Sequence, residues 1–345
     1  MNILLIILLI YNCIHGISGL KNTDNNVNII QNSNDTITKL MNNMDNNIDL
    51  ELWGIQIHQK LICLKRKMGQ IYFYHVRKAA GTTLKQILQI SSWTYGGNSL
   101  IFTEGKTLDL QILNQNGLLT VISLRDPIER IVSLYWYEHA SFFITRNQSK
   151  LVKMNDWFDA WSDNNSTWKT NYIKRNPGNV YVEVDNYYTK ILSGWIGPEP
   201  INEKDYEIAI SSLHKIDVIL ISEWMNSITQ IEVIDILFPS GKRDTNNIHN
   251  VVSDRKIRDY YQYLVQNWND LKEKMVKINN YDIKLYNYAL LLTAKRFMKI
   301  RNIVFKSTPA FINNKSQCSI SVKKHFLGVH QPKGHKGPFK KFKQN

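Results

Sequence analysis

The run Ile71-Tyr72-Phe73-Tyr74-His75-Val76 passes directly into Arg77-Lys78-Ala79-Ala80-Gly81-Thr82-Thr83 and then into a segment with Leu84, Ile87 and Leu88, and this passage decides the fold class. Six β-prone residues read as a buried strand. The Gly/Thr break ends it, and apolar residues spaced by three and four read as one face of a helix. The arrangement recurs downstream: Leu118 to Leu124 is an apolar run, broken at Arg125-Asp126-Pro127, after which Ile128, Ile131, Val132 and Tyr135 share one helical face. A third apolar run, Ile216 to Ile221, lies between helical patterns at Glu203 to His214 and Ser227 to Phe238. Strands alternating with helices predict an α/β domain with a central parallel sheet flanked by helices. Two helices are expected to close it. One starts near Asp254, capped by Ser253 or Asp254, with Ile257, Tyr261, Leu264, Trp268, Leu271 and Met275 at helical spacing; the other runs from about Asp282 to Lys299.

Outward from this domain, the composition narrows the function classes. The chain has 345 residues, 43% of them hydrophobic, enough for a full-sized core. Its net charge of +14 invites a nucleic-acid reading. The charge, however, is concentrated at one end: Arg301 to Asn345 carries ten Lys/Arg and no acid, leaving 33 basic against 29 acidic residues elsewhere. Nucleic-acid binding is therefore the last-placed reading. Three cysteines, Cys13, Cys63 and Cys318, exclude a disulfide scaffold, and no Cys/His spacing indicates a zinc site, so no metal is expected. Loss of the first segment would leave one pair able to bridge the domain to its tail.

Residues 1–20 hold a compact apolar stretch, Ile3 to Tyr11, then Asn12, His15 and small residues around Gly16, Ser18 and Gly19. A cleaved signal peptide has this form; an uncleaved signal anchor is the rival, and would be the only membrane contact. Both direct the chain into the secretory pathway. Residues 21–66 are read as an Asn-rich flexible stem, 67–300 as the folded domain and 301–345 as a basic, flexible tail. Sequons at Asn34, Asn147, Asn164, Asn165 and Asn314 fit a luminal glycoprotein.

Each strand-to-helix turn carries residues suited to an anion. In the first, Lys78 supplies a mobile charge, Gly81 permits close backbone approach, and Thr82 and Thr83 add hydroxyls at a helix N-terminus, whose free N–H groups and dipole favour negative charge. The triphosphatase signature GxxxxGK[ST] is absent, because the lysine precedes the glycine. This demotes a magnesium-dependent kinase. In the second turn, Arg125 ends a strand, Pro127 opens a helix, and Ser133 lies two turns in with Arg130 three residues before it. An arginine fork with a hydroxyl suits a terminal phosphate. The competing reading places Arg125 or Arg130 in a structural ion pair with Asp126 or Glu129.

The segment Tyr74-His75-Val76-Arg77-Lys78-Ala79-Ala80-Gly81-Thr82-Thr83-Leu84 resembles the 5′-phosphosulfate loop of Golgi carbohydrate O-sulfotransferases, the group that includes heparan sulfate 2-O- and 6-O-sulfotransferases. Leu124 to Tyr135 resembles that family's 3′-phosphate motif, in the same order and spacing. Asn279-Asn280-Tyr281-Asp282-Ile283-Lys284-Leu285-Tyr286-Asn287-Tyr288-Ala289 resembles its closing helix. The resemblance implies a P-loop-like sulfotransferase fold using 3′-phosphoadenosine 5′-phosphosulfate (PAPS). It implies that Arg77, Lys78, Ala79, Ala80, Gly81, Thr82 and Thr83 form the 5′-phosphosulfate loop and that Arg125 and Ser133 hold the 3′-phosphate. Many relatives have a hydroxyl residue where this chain has Ala79.

Such an enzyme needs a general base, which the family commonly holds between the two motifs. Glu104, in Phe102-Thr103-Glu104-Gly105, is the first choice, with His75 and His139 in reserve. Lys78 is expected to stabilise charge on the departing phosphate oxygen. The acceptor expected is a carbohydrate hydroxyl, with an anionic polysaccharide as one candidate partner that the tail could attract. A catalytically inactive anion- or glycan-binding secretory protein is the alternative.

Overall fold

A computed structural model of the chain describes residues 49–95, 100–146, 149, 151–163, 167–175, 180, 183–197, 199–238, 264–304 and 318. The readings on the signal segment, the sequons, the residues of 254–263 and the tail beyond 304, Cys318 excepted, lie outside them.

Four parallel strands form the sheet: β1 (Gln70–His75), β2 (Leu100–Glu104), β3 (Leu118–Leu124) and β4 (Val218–Ile221), in the order β2-β1-β3-β4. Register pairs Ile71 with Leu100 and His75 with Glu104 on one side of β1, and Gln70 with Leu118 and Tyr74 with Ile122 on the other. Every residue of β3 and β4 is buried, as a parallel sheet covered on both faces requires. Alternate side chains separate cleanly. Ile71, Phe73, Leu119, Val121, Val218 and Leu220 face one core, while Tyr72, Tyr74, Leu118, Ile122, Leu124, Ile219 and Ile221 face the other. The α/β class with a central parallel sheet flanked by helices is thus observed. The strand β2 is an addition to the three runs seen in the sequence; with one buried residue, Ile101, among its five, it offers no continuous apolar signal.

The first face is covered by α1 (Leu50–Lys65), α2 (Gly81–Thr94) and the later helix α9 (Ile228–Leu237). The span read as a flexible stem, 21–66, therefore contains a packed helix: Trp53, Ile57, Leu61 and Leu64 of α1 recur at three- and four-residue spacing and are buried against the sheet. Asp49 caps it by accepting from the Leu52 N–H at 2.8 Å. Lys60 fixes its far end through Asp217, whose carboxylate also accepts from the Thr120 N–H at 2.7 Å. The Trp53 indole donates to the Asp217 carbonyl at 3.1 Å. Cys63 of this helix is bonded to Cys318, with the Cα atoms 5.6 Å apart, so the start of the domain and its tail are joined.

After β3 come α3 (Pro127–Leu134), a π-helical turn (Tyr135–Ala140), α4 (Ser141–Arg146), α5 (Met154–Ser162) and α6 (Thr167–Arg175). The helix predicted to carry Tyr135 on a regular face thus changes pitch at that residue. The second face of the sheet takes a 3₁₀ turn at Leu110–Asn114, α7 (Tyr187–Ser193), α8 (Glu203–Lys215) and the middle of α11 (Asn280–Val304). α10 (Trp268–Ile278) packs with α3 and α5 in a third apolar cluster. Among the described residues no helix is long and apolar enough to cross a membrane.

Candidate active site

The strand order places the site. From β1 the chain passes through α2 on one face to β2, then returns over the other face, through the 3₁₀ turn, to β3 on the opposite side of β1. The connections diverge at the carboxyl ends of β1 and β3, the position at which an open α/β sheet usually takes a ligand. The two turns singled out in the sequence are the ones that border it.

In the β1–α2 turn, Lys78 has φ 65° and Ala80 has φ 58°, with Ala79 between them on the ordinary side. A left-handed residue other than glycine costs about 1–2 kcal/mol. Alternating handedness is a form that can suit an anion, although here the Ala79 N–H donates to the Val76 carbonyl at 3.3 Å. Gly81 has a different reason from the one its sequence suggested. A Cβ there would lie 1.5 Å from Cδ2 and 1.8 Å from Nε2 of His75, so the close approach at this glycine is made by the His75 ring. Thr82 is exposed and Thr83 half-buried in the first turn of α2. Ala79 faces the core, leaving its backbone to the loop.

The Lys78 ammonium rests 3.5 Å from the centroid of the Tyr137 ring. Burial, then the charges of Arg77 and Arg125, push it down to about 8, against an upward pull from Glu104. Arg77 is buried between two carboxylates: its Nε lies 3.5 Å from Glu104, and its Nη2 pairs with Glu138. Its side chain is thereby committed to holding the loop. Glu104 ends β2 beside His75, with Oε2 3.3 Å from His75 Nδ1. Burial raises the Glu104 carboxyl, but His75, Arg77 and Lys85 together hold it below the ordinary carboxylate range. Two residues weighed as alternative bases are therefore neighbours.

Arg125 ends β3, and its Nη1 reaches the Lys78 carbonyl at 3.4 Å. An exposed contact of 3.4 Å joins its Nη2 to Glu129. Its backbone is held firmly: the N–H donates to the Tyr188 hydroxyl at 3.2 Å, and that hydroxyl donates to the Arg125 carbonyl at 2.6 Å. Asp126 caps α3 through the Glu129 N–H at 2.9 Å, with Pro127 in the first turn as expected. Glu223, just after β4, accepts from the Asp126 N–H at 3.0 Å and from the Tyr286 hydroxyl at 2.8 Å.

The segment resembling a closing helix supports α7 beneath this turn. Asp282 accepts from the Tyr188 and Thr189 N–H groups at 2.8 Å each, and burial raises its carboxyl to about 6 against those donors. Asn186, itself left-handed, donates its backbone N–H to the Asn279 side-chain oxygen and its side-chain amide to the Ile278 carbonyl. Tyr188, Glu223 and Tyr286 were not picked out from the sequence, because each acts through a contact between distant segments.

No family model, curated protein or solved structure matches the chain.

Two residues considered from the sequence, Arg130 and His139, are placed elsewhere. Arg130 is 1% exposed, with its guanidinium 4.2 Å from the Tyr187 ring and Nη2 3.4 Å from the Glu183 carbonyl, so it is neither a ligand fork nor paired with Asp126 or Glu129. His139 packs on Tyr135 and Phe143, its Nε2 accepts from the Val152 N–H at 2.9 Å, and burial pushes it down to about 4. This removes it as a base. Ser133 is half-buried on α3. Among the described residues no group of three or more His, Cys, Asp or Glu is placed to hold a metal ion.

Proposed function

We propose that the chain is a carbohydrate O-sulfotransferase of P-loop-like fold that uses PAPS and works in the lumen of the secretory pathway, with the Golgi as its station. One observation carries this reading: Lys78 and Arg125 project from adjacent turns at one switch-point crevice, with the Arg125 guanidinium 3.4 Å from the Lys78 carbonyl. Two cationic turns bordering one crevice match a ligand with phosphate-type groups at two positions of one nucleoside. The backbone supports the same reading, since a loop with left-handed Lys78 and Ala80 is a form that suits an anion.

When bound, the donor supplies an activated sulfuryl group and leaves as a bisphosphate. The β1–α2 turn and Thr83 receive the 5′ end, and Arg125 with Ser133 receives the 3′-phosphate. Lys78 offers its ammonium to negative charge developing at the leaving oxygen. Glu104 accepts the proton of the attacking hydroxyl: its side chain is 23% exposed against 13% for His75, and a carboxylate held below the ordinary range is ionised at neutral pH. His75 positions Glu104 and packs the loop at Gly81. The Cys63–Cys318 bond supports an oxidising compartment.

The test is incubation of the purified protein with radiolabelled PAPS and a panel of desulfated polysaccharides, followed by disaccharide analysis. Label is expected on one sugar position, with loss in Glu104→Gln. Binding of the desulfated nucleotide with no transfer to any glycan would replace this reading with that of an inactive anion-binding protein.

A further inference from the structure

The residues that follow α3 reach back over the β1–α2 turn, and they do so where the helix changes to π-helical pitch, at Tyr135–Ala140. Single π-helical turns frequently mark functional positions, because the extra residue re-aims the side chains that follow it. Here two consecutive side chains meet two consecutive loop residues: the Tyr137 ring lies under the Lys78 ammonium at 3.5 Å, and Glu138 pairs with Arg77. Tyr137 remains 65% exposed, so its ring contributes little to any core. What the ring does contact is the ammonium. Arg77 is anchored twice, by Glu104 and Glu138, whereas among the described residues Lys78 has an aromatic face in place of a carboxylate. A carboxylate at that position would compete with an anionic ligand for the ammonium. A ring attracts the cation more weakly than a carboxylate does, enough to set its direction without neutralising it.

We propose that Tyr137 is a positioning residue for Lys78, holding the ammonium at the mouth of the crevice through a ring-face contact that leaves its charge to an arriving anion and persists when the anion is bound. The inference rests on Lys78 acting in the crevice, but not on any particular acceptor. The charged groups facing Lys78 are Arg77 on its own loop, Arg125 from the β3–α3 turn and Glu104 from β2.

The experiment compares wild type, Tyr137→Leu and Tyr137→Phe. The Lys78 amine is titrated by pH-dependent acetic anhydride labelling and mass spectrometry, and affinity for adenosine 3′,5′-bisphosphate is measured by calorimetry. Tyr137→Phe keeps the ring and is expected to match wild type in both. Tyr137→Leu removes it and with it the attraction that favours the charged form, so the Lys78 midpoint is expected to fall below the wild-type value. Its affinity for the bisphosphate is expected to fall by about three- to tenfold, with an unchanged melting temperature. An unmoved Lys78 midpoint in Tyr137→Leu overturns the proposal, as does an equal loss of affinity in Tyr137→Phe. Neither readout needs turnover, so a protein that transfers no sulfate yet shows the expected shift would sink the enzymatic reading and leave this one standing.

Discussion

Lys169 and Lys190 meet Glu183 and Asp185 where water is excluded, whereas Lys78 and Arg125 meet an aromatic ring and a backbone carbonyl at a half-exposed mouth. In the first cluster Lys190 lies 2.6 Å from Glu183 and 3.0 Å from Asp185, and Lys169 lies 3.2 Å and 3.0 Å from the same two carboxylates. All four side chains are at most 6% exposed. The lysines hold Asp185 well below the ordinary carboxylate range despite burial, while burial dominates at Glu183 and raises it. Two cations balance two anions, so little remains to attract a ligand. In the second cluster the cations keep weak partners and the loop bears left-handed residues. Balanced and buried charge joins α6 to α7; loosely held positive charge at strand ends is available to bind.

The largest expected effect breaks the second cluster. Lys78→Ala should lower sulfate transfer by about 10²–10³-fold while the melting temperature stays near wild type. The same lysine sets a pH limit: the ammonium is lost as pH rises through about 8, so turnover of the wild type should decline above that pH. Equal rates for variant and wild type would reduce the second cluster to architecture.

The first cluster should respond in the opposite sense. Lys190→Met leaves two buried carboxylates sharing Lys169, and denaturant unfolding should show a loss of about 3–5 kcal/mol. A variant as stable as wild type would mean that water reaches these groups. A smaller effect is expected for Arg125→Ala, which should weaken binding of adenosine 3′,5′-bisphosphate by about 1.5–3 kcal/mol in calorimetry, with stability almost unchanged. Smallest of all is Glu129→Gln. Its contact with Arg125 is exposed and spans one helical turn, so a change in stability below about 0.5 kcal/mol is expected in thermal melts. A larger loss would show that Arg125 depends on that carboxylate for its placement.

Much of this architecture was legible in the residue order. Leu118 to Leu124 is a strand over the expected residues, and Pro127 opens the next helix because a missing N–H costs nothing there. The helices expected at Glu203 to His214 and Ser227 to Phe238 are observed at Glu203–Lys215 and Ile228–Leu237. The whole of α1 was hidden within the span read as an Asn-rich stem, and β2 by its short, half-exposed pattern. At the candidate site, Lys78, Arg125, Glu104 and His75 were visible as chemistry-bearing residues. Tyr137 and Glu138 were not, since an α-helical period carried through Tyr135 aims them wrongly.

Sequence alone determined the strands β1, β3 and β4 and the helices that follow them, because apolar spacing follows the two repeat lengths of the backbone. It also determined that two strand ends carry cations. Tertiary structure alone decided that those ends are adjacent, since strand order depends on which faces the intervening helices bury. It likewise decided that His75, rather than a ligand, fills the space beside Gly81, and that Glu104 and His75 act as a pair. Such contacts join residues far apart in the chain, and no local pattern encodes a distance between two segments that meet only after the core has closed.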